Sequence, residues 1–82
     1  MKAYPVPYST NFNLLIKAPM DGKATIQLSN AMGQQLERQT LETDADHYYL
    51  INFAQAPVLA KGVYFIRYED GKNKRTIKIV KR

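Results

Sequence analysis

The chain has 82 residues, no cysteine and a single histidine, His47. A chain of this length forms one domain with a modest core. The composition excludes disulfides, thiol chemistry and any metal site built from several cysteines or histidines. The hydrophobic content of 45% is ordinary for a globular domain and too high for intrinsic disorder.

The positive charge is concentrated at the C-terminal end. The formal net charge is +5, but positions 72–82 hold six basic residues and no acidic one, so positions 1–71 carry −1. The basic residues of this segment are Lys72, Lys74, Arg75, Lys78, Lys81 and Arg82. Single-strand nucleic-acid binders interleave aromatic residues with such charges, and this segment has none, so no nucleic-acid partner is expected. Protection of a terminal edge strand from unwanted pairing and contact with a protein partner both remain open.

No targeting or membrane-spanning segment stands out in the chain. Residues 1–5 include a charge but no apolar run after it, so they do not resemble a secretory signal. The longest apolar runs are far shorter than the roughly 20 residues that cross a bilayer. We therefore expect no transmembrane segment.

Alternation of apolar and polar residues predicts strands along the first half of the chain. Phe12, Leu14 and Ile16 lie two apart, and a second alternating run follows the Asp21-Gly22 turn. The third run, residues 35–41, is the most polar and therefore reads as an edge strand anchored by Leu36.

The second half continues the alternation and ends in a hairpin. A fourth run begins at the Tyr48-Tyr49 pair, of which one ring must face outward, and only residues 54–60 allow a short helical turn. Gly62 opens the fifth run, Asp70-Gly71 predicts a hairpin turn, and the return strand spans residues 75–80.

The spacing of these runs predicts an all-β fold. They begin near residues 12, 24, 35, 48, 63 and 75, with turn residues in each gap and no room for the helix of a βαβ unit. Such spacing is typical of an immunoglobulin-like antiparallel β-sandwich of six to seven strands. We assign residues 1–10 to a lead-in or linker remnant and residues 11–82 to the domain.

Catalytic or metal-binding chemistry finds little support in the residues. His47 follows Asp44 and Asp46 in a predicted turn, and no nucleophile elbow accompanies it. Glu42 with these aspartates offers hard oxygens to calcium, but acidic residues are common in turns for backbone reasons. We expect no enzyme activity, no cofactor and no metal.

Five landmarks follow one another along the chain. They are YPVP at 4–7, ATIQL at 24–28 running on to NAMGQ at 30–34, LAKGVYF at 59–65, DG at 70–71 and KIVK at 78–81. In their order and spacing they resemble the C-terminal sorting domain of type IX secretion cargo proteins of Bacteroidetes, and the resemblance covers essentially the whole chain. The family pattern has Asn where this chain has Val6, and Tyr where it has Ser29.

The resemblance implies a non-catalytic sorting signal. Such a domain directs an upstream cargo domain on the same chain through the periplasm to the cell surface or the medium. Outer-membrane translocation and sortase components are its partners. A sortase-like protease usually removes the domain, which places the cut before or near residue 4.

The family motifs carry over residue by residue. Recognition of the signal is assigned to Lys78, Ile79, Val80 and Lys81. The motif residues expected to be structural are Pro5, Pro7, Gly33, Gln34, Gly62 and Tyr64. Because a signal must be accessible and a charged side chain avoids the core, Lys78 and Lys81 are expected to be exposed.

Alternation independently predicts a terminal strand with an open edge. Such an edge can receive a strand from a receptor, and it also allows a strand-swapped homodimer at high concentration. The alternative function is an immunoglobulin-like adhesion module, or a carbohydrate- or protein-binding module, of a surface protein.

Overall fold

Two antiparallel sheets pack face to face in the computed structural model, which describes residues 1–82. The strands are β1 (Lys2–Tyr4), β2 (Asn13–Lys17), β3 (Gly22–Asn30), β4 (Gln35–Thr43), β5 (Tyr48–Ile51), β6 (Gly62–Glu69) and β7 (Lys74–Lys81). The smaller sheet has the order β1-β2-β5, and the larger sheet has the order β4-β3-β6-β7. The predicted immunoglobulin-like β-sandwich is confirmed, with seven strands.

The fourth strand lies in a different sheet from that of a constant-type immunoglobulin domain. There it joins the first, second and fifth strands, whereas here β4 pairs with β3 along its length. The tight turn at residues 30–34 explains this position, because a short connection makes consecutive antiparallel strands neighbours. β4 is an edge strand, as its polar sequence predicts, and Leu36 is half-buried against the core.

Alternation directs one side of the larger sheet into the core. Ala24, Ile26 and Leu28 of β3 are buried, and the register places Tyr68 opposite Ile26 and Ile66 opposite Leu28. Each buried isoleucine or leucine side chain contributes roughly 1.5–3 kcal/mol relative to exposure. These rows of buried residues form the side of the core that belongs to the larger sheet.

The smaller sheet supplies the facing layer of the core. Leu14 and Ile16 of β2 are buried. Phe12, just before β2, packs against Tyr8 and Phe53 with ring centroids 4.9 Å and 5.8 Å away. The core therefore ends in an aromatic cluster that joins segments far apart in the sequence.

A short 3-10 turn, Ala56–Val58, is the helical element predicted within residues 54–60. Ala56 is fully buried, and its carbonyl accepts a hydrogen bond of 2.9 Å from the hydroxyl of Tyr8. Burial, with a smaller charge effect from Tyr64, raises the pKa of Tyr8. The phenol is thus held neutral inside the sandwich.

Residues 1–10 contribute to the sandwich directly. β1 pairs with β2, Ala3 packs against the core, and the chain then reaches the edge of the larger sheet at Tyr8. The domain boundary placed after residue 10 stays a prediction. One strand and one core residue lie on its N-terminal side.

At the edge formed by β4, side chains of that strand bind the main chain of the segment after β5. The carboxylate of Glu37 accepts hydrogen bonds from the backbone N–H groups of Ala54 (3.2 Å) and Gln55 (2.9 Å). Gln39 donates to the carbonyl of Asn52 at 2.8 Å. These bonds tie the segment after β5 to the edge of the larger sheet.

Replacement of Tyr8 tests how much the fold depends on the lead-in. Tyr8→Ala is expected to lower the free energy of unfolding by about 3–5 kcal/mol, because it leaves a cavity beside Phe12. Tyr8→Phe removes only the hydroxyl and is expected to cost about 1 kcal/mol. Urea unfolding followed by circular dichroism measures both, with the exposed Met32→Ala as a control expected within about 0.5 kcal/mol of the parent. An unchanged unfolding free energy for Tyr8→Ala would show that the sandwich closes without it.

Candidate recognition site

The C-terminal strand β7 lies at the edge of the larger sheet, beside β6. Ile77 and Ile79 point inward, opposite Ile66 and Tyr64 respectively. Ile79 is fully buried and Ile77 is half-buried against the core. These two side chains hold the strand on the sandwich, as the alternation predicts.

Most of the outer main-chain edge of β7 is open. The N–H and C=O groups of a strand point alternately to its two sides. The carbonyl of Val80 points away from β6, because it accepts a hydrogen bond of 2.9 Å from the N–H of Tyr8. The same side therefore carries the main-chain groups of Lys74, Thr76 and Lys78, and no other strand pairs with that side.

Tyr8 covers the last part of this edge. It forms a parallel bridge with Lys81, in which the N–H of Tyr8 donates to Val80 and the N–H of Arg82 donates to the carbonyl of Tyr8, each at 2.9 Å. The lead-in thus acts as a strap across the end of β7.

The two motif lysines have different surroundings. Lys78 is exposed on the outer face, whereas Lys81 is half-buried on the same side of the strand as Ile79. The ammonium group of Lys81 donates to the carbonyl of Pro57 at 2.7 Å and lies 5.7 Å from the centroid of the Tyr8 ring. Lys81 therefore lies outside the core but is only partly exposed, and main-chain carbonyls of the 3-10 turn accept hydrogen bonds from its ammonium group.

A hydrogen-bonded turn sets the start of β7. The carboxylate of Asp70 accepts from the N–H groups of Lys72 (2.8 Å) and Asn73 (2.7 Å) and from the hydroxyl of Tyr68 (3.0 Å). Burial acts to raise the pKa of Asp70, but these hydrogen bonds outweigh it and lower the pKa. Burial, the hydrogen bond to Asp70 and the negative charge of Asp70 together raise the pKa of Tyr68 to about 12.

Gly33 and Gln34 shape the turn between β3 and β4. Gly33 has a φ of 86°, in the left-handed region where a side chain is disfavoured. Its N–H donates to the carbonyl of Asn30 at 3.0 Å, and the N–H of Gln34 donates to the Asn30 side chain at 2.9 Å. Both residues act within the turn rather than through contact with β7.

The remaining motif residues surround the start of β6. Gly62 has a φ of 152° as the chain enters the strand. Tyr64 is buried, and its hydroxyl donates to the carbonyl of Ala60 at 2.6 Å. Pro5 and Pro7 are exposed between β1 and Tyr8. The structure therefore brings the lead-in, β6 and β7 together and leaves the turn at residues 30–34 as a separate feature.

A sequence model of the family described as "secretion system C-terminal sorting domain" matches residues 2–82. The chain belongs to this family. The match extends from β1 to Arg82, so the family unit includes both the strap and the strand that it covers. Neither a curated protein nor a solved structure matches the chain.

Membership makes this chain a type IX secretion sorting domain, a class of non-catalytic signal domains. The family associates with the type IX machinery, has a cargo on the same chain and is exported to the cell surface or secreted.

Other features of the sorting domain concern metals and membranes. His47 is exposed, with Nδ1 at 3.1 Å from the carbonyl of Ala45. No three His, Asp or Glu side chains gather into a group that could hold a metal ion. No helix in the structure combines the length and apolar character required to cross a bilayer.

Sequence patterns missed two parts of the candidate recognition site. Tyr8 is fully buried, and the only signal for it is an aromatic residue directly after the two prolines of the lead-in. The partners of Lys81 are carbonyl groups of Ala56 and Pro57. Main-chain partners so distant in sequence leave no pattern in the side chains.

Substitution of the two motif lysines separates stability from recognition. Lys81→Met keeps the aliphatic stem but removes the bond to Pro57, so it is expected to lower the unfolding free energy by about 1 kcal/mol. The matched variant Lys78→Met removes an exposed charge and is expected to change it by less than about 0.5 kcal/mol. Thermal unfolding of both variants gives the comparison. Equal melting temperatures would contradict a stabilising role for the hydrogen bond from Lys81 to Pro57.

Alkaline pH is expected to weaken the sorting domain through Tyr68. Folding raises the pKa of Tyr68 from 10.0 to about 12. Its contribution to the free energy of unfolding is therefore complete below pH 10 and is lost as the pH rises through 12. A shift of this size corresponds to about 3 kcal/mol. Urea unfolding at several pH values should show a smaller loss between pH 10 and 12 for Tyr68→Phe than for the parent. Identical losses would rule out Tyr68 as the titrating group.

Proposed function

We propose that the type IX machinery reads this non-catalytic sorting signal through β7. The observation that best supports the proposal is the open main-chain edge at Lys74, Thr76 and Lys78, which leads directly into the motif at 78–81. An extended segment of a partner can pair with such an edge, with affinity from the main chain and specificity from alternate side chains.

The four residues assigned to recognition divide into two pairs. Lys78 and Val80 point to the outer face of the sheet and can contact a partner strand or its neighbours. Ile79 and Lys81 face the core and the 3-10 turn. In this proposal the outward pair is read directly, and the inward pair holds the edge in place.

Exposed positive charge next to the edge favours an acidic receptor surface. The exposed basic residues of this region are Lys72, Lys74, Arg75, Lys78 and Arg82. Complementary charge speeds association and makes it dependent on ionic strength. We therefore assign the outer-membrane translocation components an acidic groove that receives β7.

We propose that transit, binding and cleavage follow one another in a fixed order. The cargo and the sorting domain cross the periplasm, β7 binds the translocation components, and a sortase-like protease cuts upstream of the domain. Since Lys2–Tyr4 forms β1, a cut upstream of Lys2 leaves the sandwich and its strap intact.

Export of a reporter fused upstream of the domain tests recognition by strand addition. Thr76→Pro removes an N–H group that faces away from β6, and edge strands tolerate proline at such positions. Loss of one hydrogen bond to the receptor is expected to reduce export about tenfold. Removal of residues 78–82 is expected to abolish export.

Controls separate recognition from folding in this experiment. Thr76→Val retains the main-chain N–H and is expected to be exported like the parent, while melting temperatures report whether each variant is folded. Normal export of a folded Thr76→Pro variant would rule out strand addition at β7. Normal export after deletion of residues 78–82 would show that the sorting signal does not lie in this strand. It would favour the adhesion module instead.

A further inference from the structure

The outer face of the smaller sheet is more apolar than a solvated sheet face. Antiparallel sheets of this kind alternate apolar residues inward with polar residues outward. The outward positions here hold Lys2, Tyr4, Asn13, Leu15, Lys17, Tyr48 and Leu50. Tyr48 is 65% exposed and Leu50 is 56% exposed.

The register arranges these side chains around an apolar centre. Leu15 lies between Lys2 and Leu50, and Lys17 lies opposite Tyr48. The ammonium group of Lys17 is 5.8 Å from the ring centroid of Tyr48, and that of Lys2 is 6.0 Å from the ring centroid of Tyr4. Each lysine therefore lies against an exposed tyrosine at the rim.

No carboxylate balances the two lysines on this face. The outer face of the larger sheet is different, because it includes Glu42 and Glu69, and Glu69 pairs with Arg67 at 3.2 Å. The smaller sheet thus presents apolar side chains next to two lysines that form no ion pair.

We propose that this face, centred on Leu15 and Leu50, docks on an anionic lipid surface. Tyrosine rings favour the boundary between water and hydrocarbon, and lysine stems can lie along apolar groups while the ammonium reaches lipid phosphates. A second copy of the chain is a poorer occupant, because a symmetric pair places four lysines together with no acidic residue between them. The inference goes beyond the sorting function and does not depend on recognition of β7.

Flotation with lipid vesicles tests the proposal on the 82-residue chain. Binding is expected to equimolar phosphatidylglycerol and phosphatidylcholine vesicles and not to phosphatidylcholine alone. A lysine near an anionic membrane contributes about a fivefold change in affinity, so Lys2→Gln with Lys17→Gln should weaken binding about 25-fold. The matched pair Lys23→Gln with Lys74→Gln changes the net charge equally on the other outer face and is expected to retain binding within about threefold.

A second variant probes the apolar part of the face. Tyr48→Ser with Leu50→Ser is expected to abolish flotation while the melting temperature stays within a few degrees of the parent, since both side chains are exposed. Equal weakening by the two lysine pairs would reduce the effect to net charge and overturn the proposal. Equal binding to phosphatidylcholine alone would also overturn it. Dimerisation in light scattering that Leu50→Ser abolishes would assign the face to a second copy.

Discussion

Insertion of Tyr8 between the two sheets is the constraint on which the closed sandwich depends. Its ring packs on Phe12, its hydroxyl binds the carbonyl of Ala56, and its main chain bridges Val80 and Arg82. A domain of this size without disulfides has few other means of joining its ends. The start of the chain, the 3-10 turn and the end of the terminal strand are consequently stabilised together by Tyr8.

Most motif residues of the family contribute framework rather than contact surface. Gly33 and Gln34 set a turn, Tyr64 ties β6 to the carbonyl of Ala60, and Lys81 ties β7 to the 3-10 turn. Only Lys78 and Val80 of the terminal motif face outward. If the signal is read through its main chain, as proposed, it needs a strand of defined position more than it needs particular exposed side chains. The motif residues that fix the position of β7 would then serve recognition indirectly.

Alternation was sufficient to predict β2 to β7 and the inward direction of Ile77 and Ile79, since burial on one face imposes a period of two. β1 has only three residues, too few to show a period. The cover that Tyr8 provides, and the carbonyl partners of Lys81, depend on main-chain groups brought together by the fold. The terminal strand of the candidate site was therefore predictable from the alternation of its residues. The length of its open edge was not, because that length depends on the cover by Tyr8.

The parallel bridge between Tyr8 and β7 also determines where mechanical load enters the molecule. Tension on a polypeptide attached before β1 reaches β1 and then Tyr8, and the two hydrogen bonds to Val80 and Arg82 connect that path to the terminal strand. If a receptor binds β7 as proposed, a pull between an upstream cargo and β7 strains this bridge, while the pairing of β3, β4 and β6 lies outside the shortest path of force. The strap is the first part of the domain expected to yield, which lengthens the tether and leaves most of the sandwich folded.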